Sequence, residues 1–325
     1  MANNSTHFFA VPTDVLMFSV VFKFVAMIIG ILGNMTVIIY AILTNKEKTA
    51  TSYLVGNLAL ADLLVCVTFY PIWIIEFTLT ILNIDSDQDL FCKLSRSTIW
   101  SLLFASVATL LAITVDRYFY IVKPLKYSLI VTKRRAFLAI SGIWLTTCCL
   151  FVLSLVHWRM SDFRLRSFCD INDYIHHSIE ILVGYLPLTL ILILNIRILI
   201  IAEKQRKRIL VETAVPAIAT SDGQPANKIS AIHGFFHAVK AVKTFSIVVA
   251  VLAFCVLTPT VLGTVIHYSN CSASCHQMWY VVCNYQLYGI NSIVNAFIYG
   301  MRHVKYRKAY RYILLKILRC NQPGN

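Results

Sequence analysis

One carboxylate stands where water is scarce. Asp62 lies inside the apolar run Asn57-Leu-Ala-Leu-Ala-Asp62-Leu-Leu-Val. An ionisable group at that depth is costly, which marks it as a functional candidate. Oxygen-bearing side chains occur inside other apolar runs: Asn34, Ser106, Asn291, Ser292 and Asn295. A carboxylate with such neighbours suits a small hard cation such as sodium, or a proton. The expected sodium set is Asp62, Ser106, Asn291 and Asn295. The alternative is an interhelical hydrogen-bond network around a protonated Asp62.

A second group with chemistry is Asp116-Arg117-Tyr118, followed by Ile121-Val-Lys-Pro-Leu-Lys-Tyr127. An Asp beside an Arg at a membrane boundary can hold a helix end in one state, and releasing it exposes a new surface. Cys92 lies 25 residues upstream, roughly 37 Å along one helix.

The elements that position these residues are apolar runs. With 58% hydrophobic and 14% charged residues in 325, the chain exceeds what one soluble core needs. That composition excludes a disordered chain and argues against a soluble nucleic-acid binder despite a net charge of +14. Seven runs are long enough to cross a bilayer: roughly 17–43, 53–82, 98–122, 136–158, 178–202, 244–268 and 278–301. None alternates as a barrel strand does. Helices satisfy their own backbone in lipid, so the expected fold is an all-α seven-helix membrane bundle.

Basic residues set the orientation. Of the 29 Lys and Arg, 23 fall on one side, after the first, third, fifth and seventh runs. That side is the cytoplasmic one. The expected organisation is an extracellular N-terminus over 1–16, a membrane domain over 17–301 and a cytoplasmic segment over 302–325. Val304, Tyr310, Ile313, Leu314, Ile317 and Leu318, with basic residues between, predict an amphipathic helix on an anionic leaflet. The stretch Ala214 to Ser230 reads as a flexible linker.

Asn3, Asn4 and Asn270 open Asn-X-Ser/Thr tripeptides on the predicted outer side and are expected glycan acceptors. Cys92 and Cys169 fall on the oxidising side, where a disulfide would tie the loop over the bundle mouth. Cys271 and Cys275 could close a small ring there or stay reduced. Cys66, Cys148, Cys149, Cys255 and Cys283 lie within runs and are expected to be buried apolar residues. Cys320 follows the basic segment and is a palmitoylation candidate, the alternative being a free thiol.

Taken together these motifs resemble the rhodopsin-like (class A) G-protein-coupled receptors over essentially the whole chain. They are Gly33-Asn34, Asn57 to Asp62, Cys92, Asp116-Arg117-Tyr118, Trp144, Pro187, Cys255-Val-Leu-Thr-Pro259 and Asn291-Ser-Ile-Val-Asn-Ala-Phe-Ile-Tyr299. The resemblance implies a receptor that binds an extracellular ligand and activates a heterotrimeric G protein, with no enzymatic activity and no cofactor beyond an allosteric sodium ion. It assigns the coupling switch to Asp116, Arg117, Tyr118, Asn295 and Tyr299. On the third run the cavity-facing positions are Arg96, Ile99, Trp100 and Leu103. Amine receptors of the family carry an Asp where Ile99 stands, so monoamine binding in that manner is disfavoured. Opsins carry a Schiff-base Lys where Gly289 stands, so retinal is disfavoured too. Glu180, Thr260, Thr264, Tyr285 and Tyr288 complete the expected ligand set, which suits a zwitterion, a modified amine or a short peptide. Arg96 could instead pair with Glu76 or Asp170, and Lys23 with Glu76.

The chain also departs from the family pattern. Leu257 replaces the Trp two residues before Pro259, and Ala253 replaces an aromatic. Ala296 replaces a Pro, Asn195 a Tyr, and Val239 the Glu partner of Arg117. Raised basal activity and weak coupling are the two outcomes these changes predict.

Overall fold

Polar caps and prolines divide the apolar chain into helices. The computed structural model describes residues 11–44, 48–160, 181–214, 225–269, 272, 275, 278–279 and 285–302. Helix α1 spans Thr13–Ile38 and runs on into a π turn, Ile39–Thr44. Helix α2, Ala50–Ile81, is capped by Thr49, whose hydroxyl accepts from the Ser52 N–H at 3.2 Å. Helix α3, Gln88–Val122, is capped by Asp87, which accepts from the Leu90 N–H at 3.0 Å. It ends where Pro124 forces Lys123 out of helical geometry. Pro124 then opens a short helix, α4, Pro124–Ile130. Helix α5 is Lys133–Met160. Helix α6, Leu186–Ala214, follows a π turn at Ile181–Tyr185. Helix α7 is Pro225–Tyr268 and α8 is Tyr285–Arg302.

Six of these helices, α1, α2, α3, α5, α6 and α7, are long and apolar enough to cross a membrane. Helix α8 carries residues 285–301 of the seventh apolar run, and no strand occurs among the described residues. The molecule is a multi-pass membrane protein built from helices. Its two ends are named here by α3, as the Cys92 end and the Asp116 end.

Helix α3 is the most enclosed of the six and α5 the least. Phe18, Val21, Phe24, Leu138, Leu145 and Leu153 are exposed, as apolar side chains facing lipid must be. Cys148 and Cys149 share that exposure, which corrects the expectation that they are buried. Cys66 and Cys255 are buried and free, as expected. Thr36, Thr68, Thr114 and Thr147 return their hydroxyls to the carbonyl four residues back, so these donors are satisfied without water.

Two boundaries move relative to the sequence reading. Helix α3 begins at Gln88 rather than near 98, because Lys93, Ser95, Arg96 and Ser97 depress hydropathy without breaking the helix. Ala214 and 225–230, expected in a flexible linker, are helical instead, since α6 persists to Ala214 and α7 begins at Pro225; residues 215–224 lie outside the described ones.

Helices α1, α2 and α8 meet at Gly30. A methyl group there would overlap the Cys66 Sγ and approach the Ile293 Cγ1 at 3.4 Å. Small residues permit this close approach between membrane helices. Gly30→Ala should therefore lower stability by about 1–3 kcal/mol, and Cys66→Ala in the same chain should recover most of the loss. Thermal unfolding of the purified protein in detergent checks both.

Candidate functional site

Asp62 is fully buried on α2. Its Oδ1 accepts from the Ser106 hydroxyl of α3 at 2.9 Å, and its Oδ2 accepts from the Asn295 amide of α8 at 2.9 Å. One carboxylate thus joins three helices. Asn34 of α1 extends the set by donating to the backbone carbonyl of Ser292 at 2.9 Å. The side-chain oxygens of Asn291 and Asn295 are buried and have no hydrogen-bond partner. Asn295 is bonded to the carboxylate and Asn291 stands one turn before it on α8, and orphaned amide oxygens of this kind are hard, neutral ligands that fit a sodium ion.

Five residues before Asp62, Asn57 makes a second junction. It donates to the Thr109 hydroxyl of α3 at 2.8 Å and accepts from the Trp144 indole of α5 at 2.8 Å. Thr109 has no distinguishing sequence signal, and its role emerges only from the packing.

At the other end of α3, Asp116 is buried and takes three partners. Its Oδ2 accepts from the Thr51 hydroxyl at 2.9 Å and lies 3.6 Å from the Arg117 Nε. Its Oδ1 accepts from the Tyr127 hydroxyl at 2.8 Å. The sequence reading anticipates the Asp116–Arg117 pair but misses Thr51 and Tyr127. Burial pushes the Tyr127 phenol up to about 12, so it remains a donor throughout the physiological range. The Asp116 carboxylate therefore ties α3 to the start of α2 and to α4.

Next to this network α3, α6 and α7 meet on apolar side chains, and the Lys243 Nζ of α7 lies 4.0 Å from the Glu203 Oε2 of α6. Ile121, Ile198, Ala202, Val239 and Val242 form an apolar cluster from α3, α6 and α7, with Tyr118 packed against it. Asn195 of α6 accepts from the Ser246 hydroxyl of α7 at 3.0 Å.

Toward the Cys92 end, Ile99 and Leu103 are buried in the core, and Arg96 is buried beside them in the helix. The Trp100 ring packs on Tyr288 of α8, with centroids 5.4 Å apart. Cys92 and Cys275 are both disulfide-bonded. Their expected partners, Cys169 and Cys271, lie outside the described residues, as do Asn3, Asn4, Glu180, Asn270 and Cys320. The same holds for the side chains of Thr260, Thr264, Tyr285 and Tyr299. Lys23 and Glu76 form no ion pair, contrary to one sequence expectation. The Lys23 Nζ instead sits over the rings of Trp73 and Phe77, and Glu76 accepts from the Ser86 hydroxyl at 2.7 Å.

Residues 33–299 match the family model described as the 7 transmembrane receptor (rhodopsin family). The chain belongs to the rhodopsin family of seven-transmembrane receptors. Similar curated proteins include the alpha-1A adrenergic receptor of Oryzias latipes, 32% identical over 180 residues. That match covers 55% of this chain and 38% of the relative. The mouse (Mus musculus) receptor of the same name is 26% identical over 320 residues, covering 91% of this chain and 68% of the relative. The human (Homo sapiens) one is 29% identical over 180 residues, covering 55% and 38%. Matched stretches thus span well under half of two of these relatives.

The α7 positions that depart from the rhodopsin family pattern differ in burial. Counting back from Pro259 selects Leu257 as the missing Trp, yet Leu257 is 40% exposed while Val256 is 1% exposed. Val248, Val249, Leu252, Cys255 and Val256 form the inward stripe at helical spacing. Val256 and Leu252 lie in the core of this receptor's α7, Ala253 packs against it half-buried, and Leu257 faces outward. None of these is aromatic.

Proposed function

We propose that this rhodopsin-family receptor sits in the plasma membrane with its Cys92 end outside and its Asp116 end in the cytoplasm. It binds a small-molecule or short-peptide ligand among Arg96, Ile99, Trp100, Leu103, Glu180, Thr260, Thr264, Tyr285 and Tyr288. It then activates a heterotrimeric G protein through Asp116, Arg117, Tyr118, Asn295 and Tyr299. The observation that carries this reading is the Thr51–Asp116–Tyr127 network, which holds Arg117 beside an apolar closure of α3, α6 and α7. An acid that fixes a basic side chain at a closed helix end is suited to a surface that opens on signal.

The curated relatives are adrenergic receptors by name. Carrying an amine ligand over to this chain is opposed by Ile99, which is apolar and 2% exposed. A desolvated ammonium needs a carboxylate partner, and Ile99 offers none. Asp62, Ser106, Asn291 and Asn295 would hold the sodium ion, whose charge would neutralise the buried carboxylate. Glycans on Asn3, Asn4 and Asn270, an acyl chain on Cys320, and an amphipathic segment over 302–325 complete the proposed organisation.

Nucleotide exchange on a purified G protein tests the coupling. Exchange should be measurable with the wild-type receptor, with and without a ligand panel, and should fall to the receptor-free rate with Arg117→Ala. Exchange that survives in Arg117→Ala counts against this role for the switch.

A further inference from the structure

A second polar site lies between α1, α2 and α8, about two helical turns from the Gly30 contact. The three helices meet where Gly30 faces Cys66 and Ile293. Seven residues along each helix toward the Cys92 end, roughly 10 Å, stand Lys23, Trp73 and Gln286. A seven-residue step returns to nearly the same helix face, so these three share the seam. Between the two levels, Gly289 leaves room for Tyr70, whose hydroxyl would lie only 2.6 Å from a methyl group there.

What gathers along this seam is unusual for a membrane interior. Lys23 is fully buried, and its Nζ has no hydrogen-bond partner. It rests over the rings of Trp73 and Phe77, at 5.4 and 5.1 Å from their centroids. Ring faces attract a cation, but they supply no acceptor lone pair. Ser19, one turn away on α1, has a buried hydroxyl without a partner. The Tyr70 hydroxyl and the Gln286 side-chain oxygen are likewise buried and unpartnered. Each orphaned group costs free energy unless something binds it.

We propose that Lys23, with Ser19, Tyr70 and Gln286, forms a binding site for a monocarboxylate with an apolar body. A carboxylate has two oxygens and about four lone-pair sites, enough for the ammonium and both hydroxyls. The Gln286 amide can turn its N–H group toward the same anion. One cation matches one negative charge, so a dianionic phosphate would remain half neutralised. The rings of Trp73 and Phe77 beside the amine, with Phe69 packed on Trp73, suit contact with an aryl or alkyl chain. Glu76, the nearest carboxylate on α2, is held by Ser86 and leaves the amine unpaired.

Thermal unfolding of the purified full chain tests this without any G protein, so failed coupling and a failed site give different results. Phenylacetate, indole-3-acetate and octanoate, compared with their neutral amides, should raise the melting temperature by about 2–5 °C at saturating concentration. Lys23→Met removes a buried amine, so it should fold and melt no lower than wild type, and it should lose the carboxylate effect. Glu76→Gln should keep it. No rise with any of the three acids, an equal rise with the amides, or a rise that persists in Lys23→Met would overturn the proposal. Loss of the effect in Lys23→Gln as well would support it independently of the Met variant's packing.

Discussion

Replacing sodium by N-methyl-D-glucamine at constant ionic strength is expected to lower the receptor's melting temperature, and Asp62→Asn to remove the difference. The expectation follows from the junction of α2, α3 and α8. Ser106 and Asn295 each bond one Asp62 oxygen and the Ser292 hydroxyl also reaches the carboxylate, which still leaves a lone pair for a cation. The unpartnered oxygens of Asn291 and Asn295 supply neutral ligands. An ion that binds only the folded chain stabilises it by RT ln(1 + [L]/Kd), about 1–3 kcal/mol at ten to a hundred times Kd. For a chain of this size that is roughly 2–8 °C. Agonist affinity should fall as sodium is restored, and this dependence should also vanish in Asp62→Asn. The Asn variant is preferred to Ala because it keeps an acceptor for one neighbour, whereas Asp62→Ala strands the buried donors of Ser106, Ser292 and Asn295. A melting temperature indifferent to sodium would leave the protonated network as the account of Asp62.

The second large effect is expected at the Asp116 end. Val239→Ala should raise basal nucleotide exchange about 5- to 30-fold. Val239 is 5% exposed and packs with Ile121, Ile198, Ala202 and Val242. Removing two buried methyl groups from such a cluster costs about 1–2 kcal/mol. If that cost falls on the closed arrangement alone, the open population grows by the corresponding factor. The complementary change, Val239→Glu, offers Arg117 a carboxylate across the closure and should reduce basal exchange. Exchange rates with and without ligand, measured on the same preparation, decide between these outcomes. Basal exchange unchanged in Val239→Ala would mean that the apolar cluster does not hold the receptor closed.

Much of this was legible in the chain itself. Hydropathy located six of the spans that the structure bears out, since lipid demands long apolar helices whatever their packing. The Asp62 partners Ser106 and Asn295 were legible because polar atoms at matching depth in an apolar bundle have few others to choose. The Asp116–Arg117 pair was local and equally visible. Three things were not. The start of α3 was hidden because buried Ser95, Arg96 and Ser97 look like loop residues to a hydropathy scale. Thr51 and Tyr127 were missed as Asp116 partners because ordinary types of residue reach it across helix boundaries. By charge alone Glu76 was one option as the partner of Lys23. On α2, however, Trp73 and Phe77 share a face one turn apart, while Glu76 stands about 100° round the axis from Phe77. Helix rotation, which opposite charge does not specify, decided what the amine meets.

The side-chain hydrogen bonds between helices are unevenly placed. Asn57 bolts α2 to α3 and α5, Asp62 bolts α2 to α3 and α8, and Ser97 and Ser154 add a further bond between α3 and α5 at 2.8 Å. Hydrogen bonds have preferred directions and lengths, so sliding one of these helices by even a fraction of a turn breaks several at once. Among the described residues, α6 and α7 meet α3 near the Asp116 end through Ile121, Ile198, Ala202, Val239 and Val242, side chains that tolerate sliding because dispersion has little directionality. The bundle is therefore mechanically lopsided. One flank resists shear like a braced frame, and the other can shift along a greased seam while the brace keeps its shape.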